Sequence, residues 1–270
     1  MILVSDIGNT NIVFGIFQDN ILKSKFRLMT RPIRTLDEYA FLIINLLKQN
    51  GIDKSELKGV IVAGVVDNLD IVLKNAFERY FNLKTFIVKP TDDLGIENKY
   101  ETPDTLGIDR IVNCIAGYNK YKTSLIVIDA GTATTVDIIL KGEGFLGGLI
   151  LPGMDMLSKS LFENTSKLPF VALRKTNEII GKNTIDSINS GVVFGYASML
   201  EGIVKKIKEK YFKYDIKVLI TGGKYKTISD ISDIADFTDE DLTLKGLKII
   251  YDYKEKNEFQ RCGDKSFNRE

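Results

Sequence analysis

Histidine is absent from the 270-residue chain. Its absence excludes the Ser–His–Asp and Cys–His catalytic arrangements, and it excludes every metal site that uses imidazole ligands. If the protein is an enzyme that needs a general base, we therefore expect that base to be a side-chain carboxylate.

Cysteine, long apolar runs and an excess of charge are scarce as well. The two cysteines, Cys114 and Cys262, show neither the spacing of a metal site nor a disulfide framework. No apolar run reaches the roughly 18 residues of a membrane span, and Asp6 interrupts the first apolar segment too early for a signal peptide. The net charge of +1 provides no basic field for nucleic acid. We therefore expect a cytoplasmic protein that binds neither nucleic acid nor membranes.

Two segments share one pattern, and the rest of the chain is organised around them. Residues 2–17 read ILVSDIGNTNIVFGIF, and residues 125–140 read LIVIDAGTATTVDIIL. Each segment contains an apolar run, an Asp-x-Gly turn with small polar residues, and a second apolar run. In this comparison Asp6 corresponds to Asp129, Gly8 to Gly131, and residues 13–15 to residues 136–138.

The two turns have the chemistry of a phosphate site. Glycine permits close approach of the backbone, and consecutive N–H groups and threonine hydroxyls can hold an anion. An aspartate at the end of a strand can hold a cation or a water molecule. Each segment alone could be an ordinary β-hairpin with a polar turn. The repeat favours two related halves that face a common, phosphate-bearing ligand.

The hydrophobic pattern predicts the element order βββαβαβ for the first half and βββα…αβα for the second. The polar segment 90–105 between them is a candidate hinge and substrate-facing loop. The pattern indicates an N-terminal half at residues 1–105 and a C-terminal half at residues 106–253. We expect the charged, aperiodic tail at residues 254–270 to be disordered.

This repeated order resembles the actin, sugar kinase and Hsp70 superfamily. The resemblance implies an α/β fold of two duplicated actin-like, or ribonuclease H-like, βββαβαβ halves with an ATP cleft between them. Two other phosphate motifs are excluded. The P-loop pattern G-x-x-x-x-G-K-[ST] is absent, and the G-x-G-x-x-G at residues 142–147 lies between two predicted strands instead of opening a helix.

Two further motifs leave alternatives open. Residues 221–223, Thr-Gly-Gly, occupy the place of the superfamily's nucleotide-binding glycine pair, although a glycine pair after a strand is commonly a plain turn. In Gly107-Ile108-Asp109-Arg110, a general base would stand beside an anion-binding guanidinium. Alternatively, the aspartate satisfies the helix dipole and the arginine is a surface residue.

The motifs taken together are similar to those of the type III pantothenate kinase family, from residue 1 to about residue 251. One departure is Gly-Val-Val-Asp at residues 64–67, where the family has a Ser-Val-Val-Pro-like strand end, and this affects local loop geometry. The motifs that carry the resemblance are D-x-G-N-T-N at 6–11, G-I-D-R at 107–110, D-A-G-T-A-T-T at 129–135, G-G-x-I-x-P-G at 147–153, and G-x-N-T at 181–184 with Ser190 and Gly191.

The resemblance implies a role for each matching residue. Asp109 would take the proton from the pantothenate hydroxyl, Asp129 would hold a monovalent cation (K⁺ or NH₄⁺), and Asp6 would lie near Mg²⁺. Thr184 could instead be a helix N-cap, and Tyr100 could serve loop packing. The implied ATP contacts are Asp6, Ile7, Gly8, Asn9, Thr10, Asn11, Ile12, Val13 and Thr132. The implied pantothenate contacts are Tyr100, Gly107, Ile108, Asp109, Arg110 and Thr184.

The resemblance also implies an activity and an assembly. The activity is ATP-dependent phosphorylation of pantothenate to 4′-phosphopantothenate, the first step of coenzyme A biosynthesis, in a homodimer with the substrate pocket near the interface. Two alternatives stay open. One is a non-catalytic regulator, since the family includes members first noticed as accessory factors in transcription. The other is a different small-molecule kinase or a phosphohydrolase of the same superfamily.

Overall fold

The structure, a computed structural model, describes the backbone of residues 1–266 and the side chains of residues 1–258. It contains two compact units. The first comprises Met1–Ala116 together with the segment that begins at Leu242, and the second comprises Gly117–Asp241. Each unit is built around one mixed five-stranded sheet.

The first unit consists of a sheet and the helices that cover it. Its strands are β1 (Ile2–Ile7), β2 (Asn11–Gln18), β3 (Ile21–Met29), β4 (Gly59–Gly64) and β5 (Thr85–Ile87), and its helices include α1 (Leu36–Gln49) and α2 (Leu69–Phe81). The strand order is β3-β2-β1-β4-β5, with the first three antiparallel and the last two parallel to β1. Apolar side chains of one sheet face form a core with α1 and α2.

The second unit repeats this arrangement. Helix α3 (Ile108–Tyr121) begins in the first unit and ends in the second. The second unit then contains β6 (Ser124–Ala130), β7 (Ala133–Leu140), β8 (Gly144–Pro152), α4 (Met154–Glu163), α5 (Thr184–Lys210), β9 (Ile216–Thr221), α6 (Tyr225–Ser229) and β10 (Phe237–Thr238). The strand order is β10-β9-β6-β7-β8, with β6, β7 and β8 antiparallel and β9 parallel to β6. Apolar residues of the sheet and of α5 form its core.

The two sheets have the same connectivity, which confirms the predicted α/β duplication. In both, a three-stranded meander is followed by two strands parallel to its first strand. The sequence reading of the second half omitted α6 and β10. Five helical and two strand residues leave too few positions for a periodic apolar pattern, so these elements could not be recognised.

The C-terminal helix is longer than the sequence indicated. Helix α7 runs from Leu242 to Ser266, where the sequence predicted a helix to about residue 251 and a disordered tail over residues 254–270. Residues 254–266 are helical, because lysine and glutamate are good helix formers even without an apolar stripe. Residues 267–270 lie outside the described residues. None of the helices in the described part of the chain has the length and hydropathy to cross a membrane.

Helix α7 packs on the first unit, although the sequence placed residues 242–253 in the C-terminal half. The packing is close at three glycines. A β-carbon at Gly15 would lie 3.1 Å from Leu244 Cδ1, and one at Gly246 would lie 2.4 Å from the Val112 carbonyl oxygen. A β-carbon at Gly59 would lie 2.1 Å from the Tyr251 hydroxyl oxygen. The limits of the compact units, after Ala116 and before Leu242, therefore differ from the boundaries after residues 105 and 253 that the sequence indicated.

Side-chain caps start two of the helices. At α1, the Thr35 side chain accepts a hydrogen bond from the Glu38 backbone and Glu38 accepts one from the Thr35 backbone, which confirms the capping box. At α5, the Asn183 side chain accepts from the backbone N–H of Asp186 at 2.9 Å. Asn183 is therefore the N-cap, and Thr184 is the first helical residue, with an exposed side chain.

The G-x-G-x-x-G pattern forms part of a hairpin. Gly142, Gly144 and Gly147 have φ values of +84°, +88° and +109°, and they lie at the connection from β7 to β8 and in β8 itself. These backbone conformations favour glycine. The glycines therefore serve the hairpin, and the exclusion of a dinucleotide-binding turn is confirmed.

The contact between Gly59 and Tyr251 offers a test of how α7 is held. Since a β-carbon at Gly59 would lie 2.1 Å from the Tyr251 hydroxyl oxygen and 2.8 Å from Cζ, Gly59→Ala must displace the ring. We expect this substitution to lower the free energy of unfolding by about 1–3 kcal/mol, the usual cost of overpacking. Urea denaturation measures it.

Gly202→Ala is the matched control, because a β-carbon at Gly202 in α5 meets nothing within 4 Å. It should be neutral or slightly stabilising. In a Tyr251→Leu background the cost of Gly59→Ala should shrink. Equal costs in the two backgrounds would contradict the proposed role of the contact.

Candidate functional site

The first Asp-x-Gly turn is a fixed loop between β1 and β2. The Gly8 N–H donates to the Asn11 carbonyl at 3.0 Å, and a β-carbon at Gly8 would lie 3.2 Å from that oxygen. Thr30 ties the turn from outside, since its hydroxyl donates to the Gly8 carbonyl at 2.7 Å and its N–H to the Thr10 carbonyl at 3.0 Å. Hydrogen bonds within the first unit therefore fix the conformation of the turn.

The residues that the sequence assigned to ATP differ in exposure. Asn9 and Thr10 are exposed at the tip of the turn. The side chains of Ile7 and Ile12 are fully buried in the core of the first unit. Ile7 and Ile12 can contact a nucleotide only through their backbone. Residues with intermediate exposure are Asp6, Gly8, Asn11 and Val13.

The second turn is one residue shorter than the first. Asp6 pairs with Val13 across β1 and β2, whereas Asp129 pairs with Thr135 across β6 and β7. The structural counterpart of Val13 is therefore Thr135, and the sequence comparison that matched it with Val136 was wrong by one position. The shorter turn leaves Thr132 exposed at its tip.

Two glycines outside the second turn lie against it. A β-carbon at Gly153 would lie 2.2 Å from the Thr132 carbonyl oxygen. Gly222, at φ +89°, would place a β-carbon 2.3 Å from Asp129 Oδ1. Because Thr221 pairs with Asp129 in the parallel β6–β9 register, the Thr-Gly-Gly motif follows its strand directly onto the Asp129 turn. The Thr-Gly-Gly motif is therefore more than a plain turn after a strand, because its Gly222 lies against Asp129.

An ion pair that the sequence reading missed lies beside the second turn. The Lys224 N–H donates to the Ala130 carbonyl at 3.0 Å, and Lys224 Nζ lies 2.9 Å from Asp155 Oδ2. Asp155 lies in the first turn of α4, directly after Gly153 and Met154. The two partners are 69 positions apart in the chain, so no local pattern marks the pair.

In the first unit, Asp109 is held by its neighbours at the start of α3. The Arg110 N–H donates to Asp109 Oδ1 at 2.9 Å, and a β-carbon at Gly107 would lie 2.6 Å from the same oxygen. Burial raises the pKa of the Asp109 carboxyl above its ordinary value, against the smaller lowering by Arg110. A carboxylate with a raised pKa is a better proton acceptor, so Asp109 has the properties of a general base.

Arg110 is buried, with 4% of its surface exposed. Its guanidinium lies over the Tyr100 ring at 5.5 Å from the centroid. The alternative in which Arg110 is a surface residue is therefore wrong. The structure places Tyr100, Gly107, Asp109 and Arg110 together in one part of the first unit.

A cavity of 620 Å³ adjoins this cluster. It is lined by the C-terminal end of β4, the start of α2, the segment after β5, and Gly107 with Ile108. Residues 64–67, where the sequence differs from the family's Ser-Val-Val-Pro-like strand end, form part of this wall. The next residue, Asn68, has a left-handed backbone conformation with φ +62°. Both a lysine, Lys89, and aspartates such as Asp67 face the cavity, so it suits a polar ligand.

Thr184 lies in the second unit, in a mainly apolar groove of 690 Å³ along α4 and α5. Leu161, Ile188 and Gly191 also line the groove. At Tyr196 the groove reaches the second turn, because the Tyr196 hydroxyl is hydrogen-bonded to the Thr134 hydroxyl.

The aspartates assigned to cations have surroundings that fit a nucleotide-bound ion. Asp6 and Asp129 are partly buried near strand ends, beside turns that supply carbonyl oxygens. Among the described residues, no group of three or more His, Cys, Asp or Glu side chains could hold a metal. Magnesium at phosphate sites takes many of its ligands from phosphates and water, so single carboxylates suffice.

Comparison with solved structures identifies proteins that have the same fold. The fold is similar to that of a conserved protein assigned to the Baf family of transcriptional activators from Campylobacter jejuni, at 24% identity and TM-score 0.59, covering 94% of this chain and 99% of that one. It is also similar to the activator of 2-hydroxyisocaproyl-CoA dehydratase from Clostridium difficile, solved with ADPNP, at 14% identity, TM-score 0.53 and 96% of both chains. The ROK hexokinase from Thermus thermophilus matches at 14% identity and TM-score 0.51, over 92% of this chain and 97% of that one. These likenesses show that the chain shares the fold of these proteins.

A model of a protein family, matched to the sequence, assigns the family. The model of type III pantothenate kinase matches residues 2–206, which is more than half of the chain. The chain belongs to the type III pantothenate kinase family. The matched range contains both turns, the Asp109 cluster and Thr184, and it ends before the Thr-Gly-Gly motif and α7.

Replacing Asp109 tests the cost of desolvating its carboxylate. Because its folded-state pKa lies above the unfolded value of about 3.9, ionisation destabilises the fold. This penalty is complete above the folded-state pKa and disappears as the pH falls below the unfolded value. We expect Asp109→Asn to raise Tm at pH 7–8 relative to the native chain, and the gain to shrink towards pH 4, in thermal melts across that range.

Asp104→Asn is the control, since Asp104 is an exposed carboxylate in the same unit. It should leave the pH dependence of Tm close to that of the native chain. A lower Tm for Asp109→Asn at pH 8 would show that ionised Asp109 stabilises the fold and would contradict the desolvation argument.

Proposed function

We propose that the protein transfers the γ-phosphoryl group of ATP to the primary hydroxyl of pantothenate, forming 4′-phosphopantothenate for coenzyme A biosynthesis. Family membership supports a kinase. The observation that carries the proposal is the Asp109 carboxylate, which accepts a 2.9 Å hydrogen bond from the Arg110 N–H, beside the buried Arg110 side chain. A base next to an anion-binding group suits transfer of phosphate to an alcohol that also bears an acid.

Each residue of this cluster has a proposed role. Asp109 accepts the hydroxyl proton as the hydroxyl oxygen attacks phosphorus. Arg110 pairs with the substrate carboxylate, and Tyr100 supports its guanidinium from the ring face. Gly107 and Ile108 line the cavity that receives the substrate. Thr184 is proposed as a substrate contact on family resemblance alone.

The nucleotide roles rest on the two turns. In the first turn, backbone N–H groups and the exposed Asn9 and Thr10 side chains are the proposed phosphate donors. In the second turn, the donor is the exposed Thr132. Asp6 would hold Mg²⁺ and Asp129 would hold K⁺ or NH₄⁺. When bound, these ions would neutralise the negative charge of the phosphates, and phosphoryl transfer requires this neutralisation.

The Asp109→Asn variant tests the reaction and its base together. With pantothenate, ATP, magnesium and potassium, we expect the native protein to give a product heavier by one phosphoryl group. The variant should turn over at least ~100-fold more slowly, because it lacks the proton acceptor. Mass spectrometry measures the product, and equilibrium binding of a fluorescent ATP analogue should stay unchanged.

Three results would count against parts of the proposal. Turnover of the variant near the native rate would remove Asp109 as the base. Native protein that binds ATP and leaves pantothenate unchanged would favour another acceptor, to be sought among small hydroxy acids. Native protein that phosphorylates none of these acids would favour the non-catalytic regulator.

Potassium dependence tests the cation proposed at Asp129. A single carboxylate with turn carbonyls suits a large, weakly hydrated cation, so we expect turnover in KCl or NH₄Cl and little in NaCl. Choline chloride at equal ionic strength is the control for salt effects. Asp129→Asn should abolish the difference between the salts. Equal native rates in potassium and sodium would contradict the site.

A homodimer is also proposed, and the second unit offers a surface for it. Monomers rarely leave many large apolar side chains exposed close together in the chain. Here the segment from β8 to the start of α5 exposes Ile150, Met156, Phe162, Phe170, Ile179, Ile180 and Ile185. Such residues, with the apolar groove along α5, support association of two copies through this unit.

A further inference from the structure

The segment between β5 and α3 carries Tyr100 and has little regular structure. Apart from a single-turn helix at Pro103–Thr105 and a β-bridge residue at Asn98, it consists of turns and irregular backbone. Lys89, Pro90, Thr91, Asp104 and Thr105 of this segment line the cavity beside Gly107. Irregular segments of this length are mobile unless other elements hold them.

Helix α7 holds the first part of this segment. The Tyr253 hydroxyl donates to Asp93 Oδ2 at 2.9 Å, and Lys254 Nζ lies 2.8 Å from Asp92 Oδ2. The ion pair is partly shielded from water, with 21% of the Lys254 side chain and 29% of the Asp92 side chain exposed. Such shielding makes the pair stronger than an exposed one.

The fit at Gly95 adds a steric component to this contact. Gly95 has φ +76°, and a β-carbon there would lie 3.1–3.3 Å from atoms of the Tyr253 ring. The ring therefore packs directly on the backbone of the segment. Tyr253 uses both its hydroxyl and its ring face, so it restricts the segment more than a hydrogen bond alone.

From there, hydrogen bonds lead to the candidate base. The Asn98 amide donates to the Pro90 carbonyl at 3.2 Å, and the Tyr100 N–H donates to Asn98 Oδ1 at 3.1 Å. The Tyr100 ring lies against the Arg110 guanidinium at 5.5 Å, and the Arg110 N–H binds Asp109. The Lys89 N–H also donates to Asp92 Oδ2 at 3.1 Å. These contacts and the short stretches of chain between them connect α7 with Tyr100, Asp109 and Arg110 within the first unit.

We infer that Tyr253 and Lys254 are positioning residues, which hold the segment 89–105 in the conformation where Tyr100 supports Arg110. They thereby set the affinity for the acid-bearing substrate, and this inference rests on the proposed function. The ordering of the segment is completed before the substrate arrives, so binding does not bear that entropic cost. Both residues lie beyond the range that the family model matches.

Steady-state kinetics of full-length Tyr253→Phe, Lys254→Gln and the double variant test the inference. We expect KM for pantothenate to rise about 5- to 20-fold in the double variant, as displaced binding groups lose complementarity. KM for ATP should stay within about twofold, since the ATP turns are not part of this contact set. Lys254→Arg should retain native values. A general loss of folding would instead lower the apparent kcat and leave both KM values unchanged.

Glu258→Gln is the matched control on the same helix. Glu258 forms an ion pair with Lys84. This pair also joins α7 to the rest of the first unit, but it does not involve the segment 89–105. This variant should leave both KM values unchanged. Charge exchange by Asp92→Lys with Lys254→Asp should restore part of the affinity that Lys254→Gln loses.

Hydrogen exchange provides a readout that does not depend on catalysis. The double variant should exchange amides of residues 92–100 faster than the native chain, and Glu258→Gln should not. Unchanged exchange would overturn the inference, as would faster exchange with an unchanged KM for pantothenate. If the native chain fails to phosphorylate pantothenate, the proposed function fails, and the exchange data alone then decide whether α7 holds the segment.

Discussion

Close approach of the glycine backbone to the two candidate carboxylates, Asp109 and Asp129, is the constraint on which the candidate site depends. A β-carbon at Gly107 would lie 2.6 Å from Asp109 Oδ1, and one at Gly222 would lie 2.3 Å from Asp129 Oδ1. Any larger residue would displace the carboxylate or the backbone. Both aspartates are therefore bounded in part by main chain, which is more rigid than a side chain. Gly107 and Gly222 belong to the candidate site because, without a side chain, they leave room for the two carboxylates.

This enclosure also determines the electrostatics of the candidate base. Asp109 is partly buried, and burial raises the pKa of its carboxyl, while the N–H and charge of Arg110 offset only part of that effect. A chain without histidine can thus obtain a proton acceptor from a carboxylate. Phosphoryl transfer depends mainly on positioning and charge neutralisation, so the absence of imidazole is compatible with the proposed chemistry.

The sequence predicted those features whose determinants lie close together in the chain. The strands, the Asp-x-Gly turns and the Thr35 capping box depend on a few neighbouring residues, and so does the contact of Asp109 with Arg110. Features that depend on distant partners were missed, such as the pair of Lys224 with Asp155. The same limit explains the error of one position at Thr135, since only strand pairing reveals the shorter turn.

The placement of α7 shows why a duplicated sequence pattern does not define the compact units. One face of the first sheet is covered by α1 and α2, and the other carries buried residues such as Val4 and needs its own cover. Leu244 of α7 contributes to that cover, since Leu244 Cδ1 and Val4 Cγ2 would each lie 3.1 Å from a β-carbon at Gly15. The first unit is therefore completed by a segment that follows the whole second unit in the chain. Because Tyr253 of that segment also contacts Asp93, the cover of the sheet and the support of the substrate-facing loop come from one helix.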